Sequence, residues 1–366
     1  MHRIQRRVLF YIVLLIFAGS ACGRSNDASN RMTFEEVTYV TSFPQELQLK
    51  GEAVREFDKP GATNFRLFDS LMVVSSNSGS GFWTFYELDG FRELGSFLLQ
   101  GNGPDEFLFC PPLYQASVQK RQGDTFLIFK NQRRVGEIVE MNVGETLESG
   151  KASLRVVNDS ILHTVFEFCL IDDSTVFCRE VDFSRTRQER YLLSNGKKTE
   201  IAPLSVLNQA HVKRDEDINI LSAILGYDPA RQRIVEAPIM LNTLNLYSLD
   251  GTFTRSICYG KKADRIDDIQ GKMRALRRDT FTCPRVYGKG FGVFYSDIPA
   301  SMFGKSKKAP MLLFFDWDGN PLARLALDRH ATSFDIDFRT GTLYAFDTDD
   351  ESMYRYDIQS VADLLN

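Results

Sequence analysis

The run LLQGNGPDEF, residues 98–107, combines residue types that could cradle a phosphate or contact another ligand. Gly101 and Gly103 permit a tight backbone path, and Glu106 supplies a carboxylate. A dinucleotide loop is excluded because no Gly-x-Gly-x-x-Gly spacing opens a helix here. Pro104 fixes φ and removes a hydrogen-bond donor, which also suits a structural joint. The run is therefore interpreted as a joint between repeated units, with a ligand contact as the alternative.

Other candidate ligand-binding residues lie in polar segments that separate apolar runs. They are Arg133, Arg134, Asp182, Arg185, Arg187 and Asp297. Mixed charge with several arginines suits a polyanionic, carboxylate or sugar-like ligand, and it equally suits a solvated surface. The basic run 272–279 is interpreted as a solvated face, with an acidic partner or a lipid head group as the alternative contact.

Motifs for catalysis and cofactor binding are incomplete in this sequence. The Gly-Lys-Ser of residues 304–306 lacks the preceding glycine of a P-loop. The acidic run 347–351 could contact calcium, but it lacks the glycine and spacing of an EF-hand loop. No Gly-x-Ser-x-Gly elbow is present. We therefore predict no metal site and no cofactor and name no catalytic residue, with calcium as the alternative.

The N-terminal sequence predicts export and lipid attachment. A basic start precedes an apolar stretch, Val8–Gly19, which is shorter than the about 20 residues that span a bilayer. Small residues then lead to Cys22, which we interpret as the lipidated residue of a bacterial lipoprotein. Residues 1–21 would be the signal peptide and 22–33 a tether. Secretion without a lipid and retention of the apolar segment are the alternatives.

The predicted export signal and lipidated cysteine imply a cell-envelope protein. We expect its lipid to insert in the outer membrane. The periplasmic side is favoured over the cell surface because no dense acidic run follows Cys22. Loss of residues 1–21 removes three arginines and no acid, which moves the formal net charge from −4 to −7. No basic stripe is present, so a nucleic-acid partner is excluded. Disulfides between Cys169 and Cys178 or between Cys258 and Cys283 are considered, but free thiols are favoured.

An internal repeat determines the predicted fold. Five segments share an apolar run, a turn with glycine and a second apolar run, which is the pattern of a β-hairpin. The turn glycines are Gly90, Gly144, Gly196, Gly251 and Gly319. Another hairpin precedes each of these segments, so each repeat makes a four-stranded blade. We predict an all-β, six-bladed β-propeller over residues 34–366.

The two ends of the repeat region complement each other. The last repeat contains only three strands, and the β-rich segment 34–57 precedes the first blade. We therefore predict that an N-terminal strand closes the ring, which removes an open sheet edge. Residues 259–281 interrupt the pattern and are interpreted as an insertion with a short helix between blades four and five.

The lipoprotein signal, the six repeats and the GNGPDEF segment together resemble the TolB-like six-bladed propeller family of bacterial lipoproteins. The matching positions are Gly101, Gly103, Pro104, Glu106 and Phe107, after the Asp89–Gly90 turn. A weaker resemblance to NHL-type repeats rests on the same segment. The resemblance implies a fold and a location, and it transfers no catalytic residues.

The predicted loops between the second and third strands of each blade and the connections between blades share one face, which we call the top face. Loops that converge on one end of a scaffold commonly form its binding site. The leading hypothesis is a non-catalytic module that binds a partner protein or an envelope glycan there. One alternative is a hydrolase or lyase with a carboxylate or calcium site in the axial funnel. Another is a sensor or assembly factor whose insertion, residues 259–281, docks on a further envelope component. The oligomeric state is left open.

Overall fold

The computed structural model describes residues 27–79, 81–103, 106–131, 136–302 and 304–366. Their strands form six sheets, each with at least four strands, and the inner strands of all six surround a common axis. This arrangement confirms the predicted six-bladed β-propeller. Cys22, Arg133 and Arg134 lie outside the described residues.

Three short strands precede the blades: β1 (Val37–Val40), β2 (Gln45–Gln48) and β3 (Glu52–Ala53). Blade one has β4 (Ala62–Phe68), β5 (Leu71–Ser76), β6 (Gly81–Glu87) and β7 (Arg92–Leu99). Blade two has β8 (Ser117–Arg121), β9 (Asp124–Asn131), β10 (Glu137–Asn142) and β11 (Ser153–Asn158). Blade three has β12 (Val165–Asp172), β13 (Thr175–Asp182), β14 (Arg187–Ser194) and β15 (Lys197–Glu200).

Blade four has β16 (Ala223–Asp228), β17 (Arg233–Pro238), β18 (Thr243–Ser248) and β19 (Thr254–Tyr259). Blade five has β20 (Arg278–Val286), β21 (Gly290–Pro299), β22 (Met311–Asp316) and β23 (Pro321–Ala326). Blade six has β24 (Ser333–Asp337), β25 (Thr342–Asp347) and β26 (Ser352–Asp357).

Helices are short and lie before β1, where residues 27–31 are helical, between strands, or at the C-terminus. The α-helices with defined bounds are Val143–Ser149, Ser205–Asn208, Ile266–Gln270 and Gln359–Ala362. The 3-10 helices are Leu113–Gln115, Ala202–Leu204, Ile218–Leu221, Arg274–Leu276 and Ala300–Met302. Among the described residues, no helix has the length and apolar character needed to cross a membrane.

The N-terminal segment closes the ring, as predicted, and it also covers the outside of two further blades. β3 pairs antiparallel with β26 and supplies the fourth strand of blade six. β1 pairs parallel with β19, and β2 pairs parallel with β23. The segment therefore runs as a belt around blades four, five and six, and we call residues 37–53 the belt.

The hydrophobic core lies between neighbouring blades. β18 is buried at every residue because both faces of its blade are covered. Trp83 of blade one packs edge-to-face on Phe129 of blade two, with the ring centroids 4.6 Å apart. Phe294 of blade five and Phe334 of blade six are 4.7 Å apart. Such aromatic pairs add to the free energy gained by burying apolar area.

The predicted hairpin turns are present in four of the five repeats. Gly90, Gly196, Gly251 and Gly319 all have positive φ, a conformation that favours glycine. The prediction of a turn at Gly144 is wrong, because Gly144 lies within the helix Val143–Ser149. The Asn142 side chain accepts a hydrogen bond from Glu145 N at 3.1 Å and caps this helix.

The five cysteines among the described residues are free thiols. Cys169 pairs in register with Phe177, and Cys178 pairs with Phe168. Because successive side chains of a strand point to opposite faces, this one-residue offset places the two thiols on opposite sides of the sheet.

Candidate functional site

The axis of the propeller encloses a cavity of about 590 Å³ that is lined by the inner strands of all six blades. The strand directions define two faces. The top face carries the loops between the second and third strands of each blade and the connections from one blade to the next. The inner strands run from this face to the opposite one, which we call the bottom face. Charged side chains on four of the inner strands determine the chemistry of the cavity.

Asp335 of β24 is the centre of one polar network in the cavity. Its carboxylate accepts hydrogen bonds from Leu67 N at 2.9 Å and from the Tyr287 hydroxyl at 3.2 Å. Arg66 Nε lies 3.5 Å from Asp335 Oδ2, and Arg285 Nε lies 3.8 Å from the same oxygen. Burial and the nearby Arg285 charge lower the pKa of Arg66 to about 10.

Both arginines of this network also hydrogen-bond to the backbone of other blades. Arg66 Nη1 donates to Ala116 O at 3.1 Å, and Arg285 Nε donates to Phe334 O at 3.0 Å. Arg285 Nη2 also donates to Phe65 O at 3.3 Å. The network therefore joins blades one, two, five and six around the axis, which is a structural role.

Glu167 of β12 is the second buried carboxyl of the cavity. It accepts hydrogen bonds from Gln115 Nε2 at 2.8 Å and from Leu225 N at 3.2 Å. Burial raises the pKa of Glu167 to about 7, and the nearby Arg179 guanidinium opposes this change. Near neutral pH a carboxyl with such a pKa exists in both protonation states, which is what general acid–base catalysis requires.

A second cavity of about 350 Å³ lies on the top face, and we call it the mouth cavity. Asn64, Ile224 and Cys283 of the inner strands line it, together with the connection between blades five and six. The Tyr114 side chain lines both the mouth cavity and the axial cavity. The two spaces therefore adjoin at Tyr114, whose pKa is raised by burial and by the charge of Glu167.

His330, Asp347 and Asp349 form an acidic group at the edge of the mouth cavity. Their potential ligand atoms all lie within 4.8 Å of one another. His330 Nδ1 is 3.0 Å from Asp347 Oδ2. Burial raises the pKa of Asp347, but hydrogen bonds and nearby positive charge outweigh burial and lower it.

This group does not fit calcium. Calcium prefers six to eight oxygen ligands, whereas this group includes an imidazole. Lys307 Nζ lies 3.4 Å from Asp347 Oδ2, 3.6 Å from Asp349 Oδ2 and 3.0 Å from Asp350 Oδ1. The Lys307 ammonium group therefore places a positive charge among the carboxylates of the acidic run 347–351.

The described residues of the glycine-rich run, 98–103 and 106–107, lie on the top face, whereas Pro104 lies outside the described residues. Gly103 N donates to Glu106 Oε2 at 2.7 Å, and Gly101 N donates to Phe107 O at 3.1 Å. A Cβ atom at Gly101 would lie 2.0 Å from Glu106 Oε2, so any other residue at position 101 would displace this carboxylate. Phe107 is buried and packs against Phe129 of the next blade. These contacts are those of a joint between blades one and two.

Asp182, Arg185 and Arg187 lie together in the loop between β13 and β14. Asp182 Oδ1 accepts hydrogen bonds from Ser184 N at 3.0 Å and from Arg185 N at 3.2 Å. Both arginines also form ion pairs with Glu189. The loop therefore neutralises much of its own charge.

Asp297 lies on the top face of blade five and pairs with Arg278. Arg278, its ion-pair partner, belongs to the same blade. Ligand binding by these sequence-predicted residues stays a prediction.

Large apolar side chains are exposed on much of the top face. Phe109 lies in the connection after blade one, Phe166 at the start of β12 and Phe183 in the loop after β13. They are 62%, 54% and 60% exposed, respectively. Further exposed side chains on this face are Leu108, Tyr114, Leu162, Met273, Leu276 and Met302. Exposed large apolar side chains that share one face are a feature of interaction sites.

Sequence reasoning missed the charged residues of the axial cavity. A common signal was present, because each lies in an inner strand between two apolar residues. The segments are Phe65-Arg66-Leu67, Phe166-Glu167-Phe168, Pro284-Arg285-Val286 and Phe334-Asp335-Ile336. A charged residue at the same place in several repeats indicates a shared axial position.

No family model and no curated protein sequence matches the chain. Three solved structures are similar in fold. A luciferin-regenerating enzyme has a TM-score of 0.45 at 10% identity, with 86% of this chain and 96% of that chain covered. The calcium-binding protein regucalcin from Agrobacterium tumefaciens strain C58 has a TM-score of 0.43 at 11% identity, with 86% and 95% covered.

The third is the β-propeller domain of Cps50 (Swd1) from Myceliophteria thermophila. It has a TM-score of 0.45 at 10% identity, and the match covers 84% of this chain and 100% of that chain. None of these similarities transfers an activity or a ligand. The fold assignment rests on the strand pairing of this chain.

Proposed function

We propose that the protein is a lipid-anchored envelope propeller that binds a partner protein through the top face of blades one to three. The exposure of Phe109, Phe166 and Phe183 on that face carries the proposal. Aromatic side chains supply much of the binding energy at protein interfaces, because they bury a large area with little loss of conformational entropy. An envelope glycan is the alternative ligand.

The proposed location rests on the sequence. Lipidation of Cys22 would anchor the chain in a cell-envelope membrane, on the periplasmic side of the outer membrane. The TolB-like resemblance of the GNGPDEF segment supports the same address and adds no catalytic residues. No metal or cofactor enters the proposal.

Site-specific photo-crosslinking in cells tests the binding face. A photoreactive phenylalanine analogue is introduced at Phe183, with Val156 on the outer strand of blade two as the matched control, since both side chains are exposed. We expect a protease-sensitive adduct from position 183 and none from position 156. An adduct that resists protease and is released by a glycan hydrolase indicates a glycan. Equal labelling from both positions refutes the proposed face.

A hydrolase or lyase in the axial cavity is the second candidate function. The pKa of about 7 for Glu167 favours it, because this carboxyl could act as a general acid or base. Envelope glycan preparations incubated with the protein should then gain new reducing ends or unsaturated sugars. Glu167→Gln should abolish that gain and leave the crosslink at position 183 unchanged. No gain with the wild-type protein refutes this candidate for glycan substrates.

A further inference from the structure

A second apolar surface lies at the edge of the top face, on blades four and five. Residues 271–276 of the connection between β19 and β20 are exposed without interruption. Met273 and Leu276 are 71% and 57% exposed, and Met302 of the neighbouring 3-10 helix is 42% exposed. We call Met273, Leu276 and Met302 the rim patch.

The rim patch projects from a firmly held backbone. The Arg277 side chain is buried and donates to Glu216 at 3.0 Å, to Asp217 at 3.2 Å and to Lys272 O at 3.2 Å. Arg277 O accepts a hydrogen bond from Ala300 N at 2.7 Å, which joins the two short helices of the patch. The apolar side chains therefore point outward while their own segment is anchored beneath them.

Basic side chains lie beside the rim patch, with Asp264 near Lys272 and Asp279 near Arg274. Lys272 and Arg274 flank Met273, and Lys305 follows Met302 by three residues. All three are exposed. Apolar residues with a border of lysine and arginine suit the interface of an anionic bilayer, where apolar side chains enter the acyl boundary and cations contact the head groups.

The first described residues contact the same insertion. Asp27 pairs with Arg265, and Asp267 N donates to Asn30 Oδ1 at 3.1 Å. Cys22 precedes Asp27 by five residues, and five residues extend over at most about 18 Å. A bilayer that holds a lipid on Cys22 must therefore pass within about that distance of the insertion.

We propose that the rim patch docks on the phospholipid surface into which the lipid on Cys22 inserts. This inference rests on the lipid anchor of the proposed function. The tether makes docking intramolecular, so its high effective concentration lets a small apolar patch suffice. Phe109, Phe166 and Phe183 lie on other blades, which leaves them free for a partner protein.

Tryptophan fluorescence in vesicles tests the docking. The two native tryptophans, Trp83 and Trp317, are buried and give a constant background. Leu276→Trp places a probe in the rim patch. Leu364→Trp is the matched control, because Leu364 is also exposed and lies near the C-terminus, beside the bottom-face turn around Gly288. The lipidated full chain of each variant is reconstituted in phosphatidylethanolamine–phosphatidylglycerol vesicles with or without brominated acyl chains.

We expect both variants to float with the vesicles. Brominated lipid should quench about half of the Leu276→Trp emission, because an interfacial residue lies within about 10 Å of the acyl boundary. It should quench none of the Leu364→Trp emission. Flotation with no quenching difference overturns docking and leaves the anchor standing. Failure to float overturns the anchor, and docking with it. Lys272→Glu combined with Arg274→Glu should reduce the quenching at position 276 without changing flotation.

Discussion

Replacing Glu167 with glutamine should remove a large part of the pH dependence of stability. Glu167 is buried in the axial cavity, and its pKa is raised to about 7, whereas an unfolded-chain glutamate titrates near about 4.3. Arg179 offsets this burial only in part, because its guanidinium donates to Ala223 O at 2.8 Å and lies 3.6 Å from Glu236.

The sign and size of the effect follow from proton linkage. Between the two pKa values the folded protein keeps a proton on Glu167 that the unfolded chain has lost. The stabilising effect of this proton is complete below the unfolded pKa and is lost as the pH rises through the folded pKa. The difference between a pKa of about 7 and one of about 4.3 corresponds to about 3.7 kcal/mol in the free energy of unfolding, with most of the loss between about pH 5 and 8.

Urea denaturation of the mature chain at pH 5 and pH 8 measures this loss. We expect the free energy of unfolding of the wild type to fall by about 2–3 kcal/mol more than that of Glu167→Gln over this interval. Glu52→Gln is the control, because Glu52 is an exposed glutamate on β3, outside the axial cavity. Equal losses for the wild type and Glu167→Gln would refute the inference that burial keeps this carboxyl protonated.

Three further predictions concern the fold. Gly101→Ala should lower the free energy of unfolding by about 1 kcal/mol because a methyl group would displace the Glu106 carboxylate from its hydrogen bond with Gly103 N. Gly271→Ala meets open space, so equal effects of the two substitutions in urea denaturation would contradict this account. Arg190→Leu should cost about 3 kcal/mol because it removes the directly hydrogen-bonded cation of the buried Glu236 and leaves only Arg179 at 3.6 Å, and Arg190→Leu combined with Glu236→Leu should recover much of that loss. Additive losses in the same assay would show that the two residues do not act as a pair. Deleting residues 27–54 should yield soluble aggregates in analytical ultracentrifugation because β26 becomes an open edge, and a monomer would refute closure by the belt.

Local sequence signals were sufficient for much of the fold. Asp-Gly and Asn-Gly turns between alternating runs repeat along the chain, and a three-stranded last repeat required a strand from elsewhere. The prediction of a turn at Gly144 was wrong because asparagine favours helix N-caps as well as turns, and Asn142 caps a helix here. The parallel pairing of β1 with β19 and of β2 with β23 had no local sequence signal, because parallel neighbours are not joined by a turn.

The charged network of the axial cavity could not be predicted from single sequence segments. Arg66, Arg285 and Asp335 approach one another only when blades one, five and six close around the axis. The raised pKa of Glu167 depends on burial beside Gln115 and Leu225, which are 52 and 58 residues away in sequence. Such contacts follow from ring geometry, although the repeated charged residue in the inner strands could have indicated them.

The belt connects the proposed anchor to the integrity of the ring. From Asp27 the chain contacts the insertion after blade four, then pairs with the outer strands of blades four and five, and finally completes blade six through β3. A membrane contact at the start of this path therefore fixes blade four first, on the side where the rim patch lies. In the ring, blade three adjoins blade four, and Arg190 of β14 contacts Met32 of the N-terminal segment, so blades one and two lie farthest from the tether. The edge of the top face on blades four and five could then contact a bilayer while Phe109, in the connection after blade one, faces a partner on the opposite side of the ring, with Phe166 and Phe183 between the two.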